Sequence, residues 1–118
     1  MGPQRPADWW PHFQQALLAG DLEAVLALYE PDAVFASPEG QLLKGHAELR
    51  PEFAPLAAAR ADFEVEVMKI VAAEDLALLH SAWRITRPQA MSGVALEVLR
   101  RQPDGRWLLA IGEPAGSR

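Results

Sequence analysis

The sequence contains no cysteine. Disulfides, thiol nucleophiles and cysteine-ligated zinc are therefore excluded. Histidine is scarce: His12, His46 and His80 are the full set. None pairs with a second histidine at helical spacing, and His46 is followed one turn later by the cation Arg50, so no metal site is expected. Basic residues are outnumbered, 11 Lys and Arg against 16 Asp and Glu, for a net charge of -5. A nucleic-acid binder needs a basic stripe to replace phosphate counterions, so no nucleic acid is expected as a partner. The cluster Arg100, Arg101 and Arg106 brackets a turn and reads as a solvated hairpin end. No run approaches the roughly 20 apolar residues of a membrane span, so no membrane partner is expected. The opening Met1 to Pro6 lacks the apolar core of a targeting segment, which makes a cytoplasmic location the expectation. Gly40 and Gly45 are isolated and not followed by Lys-Ser or Lys-Thr, so no phosphate loop and no cofactor is expected.

What is present is an ordinary globular composition. The chain has 118 residues, 50% hydrophobic and 23% charged. That length suits one domain with a sizeable core. Residues 1–7 are proline-rich and expected to fray, residues 8–114 form the domain, and 115–118 read as a tail.

Asp8 is a candidate N-cap for a first helix, whose apolar positions Trp9, Trp10, Phe13, Ala16 and Leu17 fall on one face. Gly20 suits its C-terminal cap and Asp21 the start of a second helix, Leu22 to Tyr29, stopped by Pro31. Ala33 to Ala36 reads as a short strand and Ser37-Pro38-Glu39-Gly40 as a turn. Gln41 to Lys44 is a second short extended piece. A third helix runs from Gly45 to about Ala59, irregular at Pro51 and Pro55, with Leu49, Phe53, Leu56 and Ala57 inward. After Asp62 all reads as strand, with Leu76 to Thr86, Val94 to Arg101 and Trp107 to Ile111 as later members. Pro103-Asp104-Gly105 is a strong hairpin signal. Helices followed by an antiparallel meander give an α+β fold with the helices on one face of a sheet. A strongly curved sheet would close over them and leave a cone-shaped cavity.

The run Ala16-Leu17-Leu18-Ala19-Gly20-Asp21-Leu22 through Leu28-Tyr29, the continuation Pro31-Asp32-Ala33-Val34-Phe35, the turn Pro38-Glu39-Gly40 and the segment Gly45 to Arg50 are similar to the opening of NTF2-like proteins. The ending Glu97-Val98-Leu99-Arg100-Arg101-Gln102-Pro103-Asp104-Gly105-Arg106-Trp107 resembles the last hairpin of SnoaL-like and DUF4440-type members. Together these span about Trp10 to Pro114. The resemblance implies a conical α+β barrel with a pocket, and commonly a homodimer through the outer face of the sheet. It spans isomerases, cyclases, dehydratases, hydrolases and binding modules, so the fold alone does not assign a function.

Within that resemblance, a ketosteroid isomerase uses a carboxylate base, a tyrosine and a protonated aspartic acid. The base position matches Ser37, the tyrosine matches Phe13, and the acidic donor matches Glu97. Two of the three groups are replaced, which argues against steroid-type isomerisation. Family members often carry an aspartate two residues before the closing proline, and Gly112 stands there.

Glu97 also has a case of its own. A three-residue bulge hairpin over Gln102 to Arg106 pairs Glu97 with Ile111, Leu99 with Leu109 and Arg101 with Trp107. Glu97 then shares a face with Leu99, Trp107, Leu109 and Ile111. A carboxyl on an apolar concave face holds its proton more tightly and can serve as hydrogen-bond donor or acid/base. The alternatives are a buried pair with Arg84 or His80, or exposure through a slip in register. His80 reads as a strand histidine or a pocket acid/base, and Trp83 as packing or pocket lining.

Three readings stay open. The first is a module binding a small apolar or amphipathic molecule in a pocket with few ionisable groups, lined by Phe13, Leu17, Tyr29, Ser37, Phe53, Trp83, Leu99, Leu109 and Ile111. The second is a SnoaL-like isomerase, cyclase or lyase with Glu97 as the catalytic acid/base. The third is a structural or regulatory homodimer with a filled pocket. Met68 to Val71 and Leu76 to Leu79 are apolar on both faces, which favours a dimer in each case.

Overall fold

The computed structural model describes residues 2–87 and 89–114; the expected tail lies outside them. Helix α1 spans Trp9–Leu18, α2 Leu22–Leu26 and α3 Gly45–Ala58. The strands are β1 Tyr29–Ala36, β2 Leu42–Lys44, β3 Asp62–Ala73, β4 Leu76–Arg87, β5 Met91–Arg101 and β6 Trp107–Glu113. They form one sheet in the order β2-β1-β6-β5-β4-β3. The β1–β6 pair is parallel; the other pairs are antiparallel.

The helical layer is laid down by local signals. Apolar steps of three and four on α1 bury Trp9, Trp10, Phe13, Ala16 and Leu17 against the sheet. Gly20 turns the chain at a φ of 70°, and the Asp21 carboxylate accepts the Ala24 N–H to start α2. Helix α2 ends earlier than its sequence suggests. Pro31 does not stop a helix but lies inside β1, which begins at Tyr29. An edge-like stretch of β1 absorbs the missing N–H: its pairing with β6 is irregular between Tyr29 and Val34.

One other expectation fails near the amino terminus. Asp8 makes no capping bond; it ends a short 3-10 turn, Pro6–Asp8, and its carboxylate pairs with Arg5. Within the proline-rich opening, Pro3 packs onto the domain. The Pro3 carbonyl accepts the Trp107 N–H at 2.8 Å, and Pro3 is fully buried. The segment thus extends β6 pairing where a sheet edge would otherwise be bare.

The sheet has two unlike faces. Ala77, Leu79, Ser81, Trp83 and Ile85 of β4 and Ala95, Glu97 and Leu99 of β5 point at the helices and are buried. Leu76 and Leu78 of β4 point away and are exposed. Bulges interrupt β3 between Val67 and Lys69 and the β5–β6 ladder between Val98 and Leu99. Such insertions bend strands and let a sheet wrap a helical layer.

Candidate functional site

Between the helices and the sheet lies a cavity of about 260 Å³. Its walls are aromatic. Helix α1 contributes Trp9, Trp10 and Phe13, and α3 contributes Phe53. The strands add Tyr29 and Phe35 of β1, Phe63 of β3 and Trp83 of β4. Eight of the chain's nine aromatic side chains therefore face one space. They brace one another edge to face: Phe13 meets Phe53 at 5.9 Å and Phe63 at 5.4 Å between ring centres. Trp9 anchors the group by donating its indole N–H to the Leu28 carbonyl at 3.0 Å. Trp83 lies over Gly93, where a Cβ would come within 2.9 Å of the ring, and donates to the Pro114 carbonyl.

Glu97 is the buried charge-bearing group in this space, 3% exposed. The Trp10 indole donates to its Oε1 at 3.3 Å, and the Ser81 hydroxyl donates to the same oxygen at 3.2 Å. Among the described residues its Oε2 accepts no hydrogen bond. Burial pushes the Glu97 carboxyl up to about 7; the two donors, which favour the anion, pull it only partly back. Tyr29 is equally buried. Its hydroxyl meets no partner among the described residues, and its proton is held well above the ordinary tyrosine range by burial and then by the Glu97 and Glu52 charges. The cavity thus presents a carboxyl near its titration point and a phenol that stays protonated.

Neither alternative for Glu97 holds. Arg84 pairs with Glu64 on the exposed side of the sheet. His80 lies on the outer face too, so it is neither a partner of Glu97 nor a pocket acid/base. Among the described residues its Nε2 is buried with no hydrogen-bond partner, unlike the satisfied strand histidine expected.

The expected lining divides. Phe13, Tyr29, Phe53, Trp83 and Leu109 border the cavity together with Glu97. Leu17 and Leu99 are fully buried in the core behind it. Ser37 is buried in its turn, where its hydroxyl accepts the Gln41 N–H. Ile111 is on the wrong face, 53% exposed. The hairpin keeps Leu99 opposite Leu109 and Arg101 opposite Trp107, but the bulge then places Gly112, not Ile111, opposite Glu97. One extra residue in β6 reverses the facing of the residues beyond it. Gly112 borders the cavity, where an added Cβ would press Leu109 and Phe35.

The expectation of few ionisable groups also fails. Glu39, Glu52 and Glu113 border the cavity with Glu97. Burial, then the nearby Glu39, raises the Glu52 carboxyl. Trp10 and Ser81, the partners of Glu97, carried no signal in the sequence beyond core periodicity. Among the described residues, no three His, Asp or Glu side chains converge as metal ligands, and no helix is long and apolar enough to cross a membrane.

Helices packed on one face of a six-stranded curved sheet, with an aromatic cone between, match a known family over most of the chain. Residues 11–109 match the SnoaL-like domain. The protein belongs to the SnoaL-like domain family, within the NTF2-like fold. An NTF-2 like protein of unknown function from Shewanella oneidensis superposes with a TM-score of 0.78 at 18% identity, covering 91% of this chain and 93% of that one. A ketosteroid isomerase-like protein from Erwinia carotovora atroseptica gives 0.73 at 21% identity, over 91% and 89%. A protein with a cystatin-like fold from Nostoc punctiforme gives 0.75 at 23% identity, over 91% and 84%. At these identities the likeness shows the fold alone. No curated protein matches the sequence.

Proposed function

We propose that this SnoaL-like protein is a binding module for a small, mostly apolar molecule that presents one polar group to Glu97. The observation that carries the reading is the aromatic cavity with a single deeply buried carboxyl, one oxygen of which has no partner among the described residues. Apolar walls supply affinity through burial, and a few convergent polar groups fix orientation. A volume of about 260 Å³ suits a molecule of one or two rings.

The second reading is an acid/base enzyme of the SnoaL-like type. It is supported by the same carboxyl, since a group titrating near 7 is well placed to move a proton at neutral pH. The two readings and a filled, structural pocket separate in one experiment with 2-tetralone, a two-ring ketone with acidic α-protons. Tryptophan emission reads binding, and deuterium exchange at the α-carbon reads chemistry. The module expects saturable quenching with exchange no faster than buffer. Exchange accelerated by the protein and lost in Glu97→Gln would replace it with the enzyme. No saturable quenching would leave the structural role.

We further propose that a second copy covers the outer face of the sheet. Val71, Leu78, Val98, Ile111 and Val34 stand in direct register across β3, β4, β5, β6 and β1. Val71, Leu78 and Ile111 are each more than 40% exposed. A self-facing apolar row of this kind suits a two-fold contact. Sedimentation of the protein and of Leu78→Lys tests it: a dimer that the substitution dissociates is expected, and a monomer at all concentrations overturns it.

A further inference from the structure

The charges around the cavity are of one sign. Among the described residues that border it are four carboxyl side chains, Glu39, Glu52, Glu97 and Glu113, and no Lys, Arg or His. Six of the nine arginines are committed to ion pairs elsewhere. Arg5, Arg50, Arg84, Arg100, Arg101 and Arg106 each pair with a carboxylate outside the cavity. Glu39, Glu52 and Glu113 have no ion-pair partner among the described residues. An anionic ligand would meet repulsion at the mouth and at the floor, with no basic group to receive it.

The walls favour the opposite charge. Aromatic rings attract a cation through their quadrupole when it lies within about 6 Å of the ring centre. Here the rings surround a carboxyl that keeps a free oxygen, Glu97 Oε2, and a phenol whose oxygen is also without a partner among the described residues. The carboxylates are too dispersed to chelate a metal ion, since among the described residues no three acidic or histidine side chains converge. A dispersed negative field with aromatic walls fits a bulky organic cation instead.

We propose that the ligand is an aromatic or alicyclic ammonium compound, its cationic head held among the aromatic rings against Glu97 and its entry favoured by Glu39, Glu52 and Glu113. This deepens the binding reading and rests on it. The groups that face Glu97 set the expected pH dependence. Trp10 of α1 and Ser81 of β4 donate to it, Tyr29 of β1 faces it as a neutral phenol, Gly112 of β6 is its uncharged cross-strand neighbour, and Glu39, Glu52 and Glu113 add negative charge nearer the mouth. No basic group among them competes with an ammonium. Cation binding requires the ionised carboxylate, so a permanently charged ligand should bind more tightly as pH rises through about 7. A neutral ligand that accepts a hydrogen bond from the protonated carboxyl should do the reverse.

The test uses three probes on the whole chain: phenyltrimethylammonium, its uncharged carbon isostere tert-butylbenzene, and benzoate. Tryptophan emission is titrated at pH 5.5 and pH 8. At pH 8 the ammonium is expected to bind roughly tenfold or more tightly than the isostere, and benzoate not to saturate. The preference should shrink at pH 5.5 and, to a similar extent, at pH 8 in Glu97→Gln. Should that variant fail to fold, carbon-13 titration of the wild-type Glu97 carboxyl decides: bound phenyltrimethylammonium should lower its midpoint. Equal or tighter binding of the isostere, or of benzoate, overturns the ammonium assignment and leaves the binding reading intact. An unmoved Glu97 midpoint does the same. Saturation by none of the three overturns both.

Discussion

The two faces of the sheet are made from alternate residues of the same strands, yet they are different chemical surfaces. Leu79 and Leu78 are neighbours on β4. Leu79 is fully buried against the helical layer, whereas Leu78 is 42% exposed. The inner face gathers aromatic rings, a buried carboxyl and its two donors. The outer face carries an aliphatic row and one histidine nitrogen with no partner among the described residues. A strand's period of two makes this division possible without any change in composition.

The sharpest way to break the comparison is to shorten each leucine. Leu79→Ala should cost about 2–5 kcal/mol in denaturant unfolding, because it removes buried contacts and leaves a cavity. Leu78→Ala should cost under about 0.5 kcal/mol in a monomer. A larger loss at Leu78 that grows with protein concentration would mean the outer face is covered by another copy.

Next in size is the pH response of the inner face. In the unfolded chain Glu97 loses its proton near 4.5, in the folded protein near 7. Between those values the folded state holds a proton that the unfolded state has released, so stability falls as pH rises. The effect of this group is absent below about 4.5 and complete above about 7, amounting to about 3 kcal/mol. Unfolding midpoints of wild type and Glu97→Gln, measured from pH 4 to pH 8, should diverge with the variant more stable at the alkaline end. Parallel curves would place Glu97 in a wetter site than the fold shows.

A smaller effect concerns the donors. Ser81→Ala removes a hydrogen bond that favours the Glu97 anion, so the carboxyl midpoint should rise further, with a stability loss of about 1 kcal/mol. A midpoint that falls would show that Ser81 is not oriented towards Oε1. Gly93→Ala should be milder at a distance but visible locally: the added methyl group must displace the Trp83 ring, and the emission of that tryptophan should shift.

Much of the architecture could be read from local patterns. The α1 face, the Gly20–Asp21 junction, the turn at Ser37 to Gly40 and the hairpin at Gln102 to Arg106 rest on short-range chemistry, and all are present. What misled were positions where two local rules compete. Pro31 reads as a helix stop, but the strand pairing of β1 with β6 prevails from Tyr29 onward. Even alternation along β6 puts Ile111 inside, but a single bulge turns it out and brings Gly112 in. The site was legible in part for the same reason. Phe13, Phe53, Trp83 and Leu109 follow from face and period, whereas Tyr29 reads as part of a helix that ends before it and Glu97 is placed through a register that the bulge changes. Trp10 and Ser81 reach Glu97 across 87 and 16 residues of chain, which no spacing encodes.

The sequence by itself determined the class of fold and the family, because helix caps, turns and hydrophobic period are local and each survives in isolation. It also offered Glu97 as a candidate for the inner face, with a buried pair or exposure as the alternatives. Only the tertiary structure decided that eight aromatic rings share one cavity, that three further glutamates border it, and that the Glu97 carboxyl titrates near 7. Those properties are set by distance through space and by exclusion of water, and neither exists until the sheet has curved and the helices have closed over it.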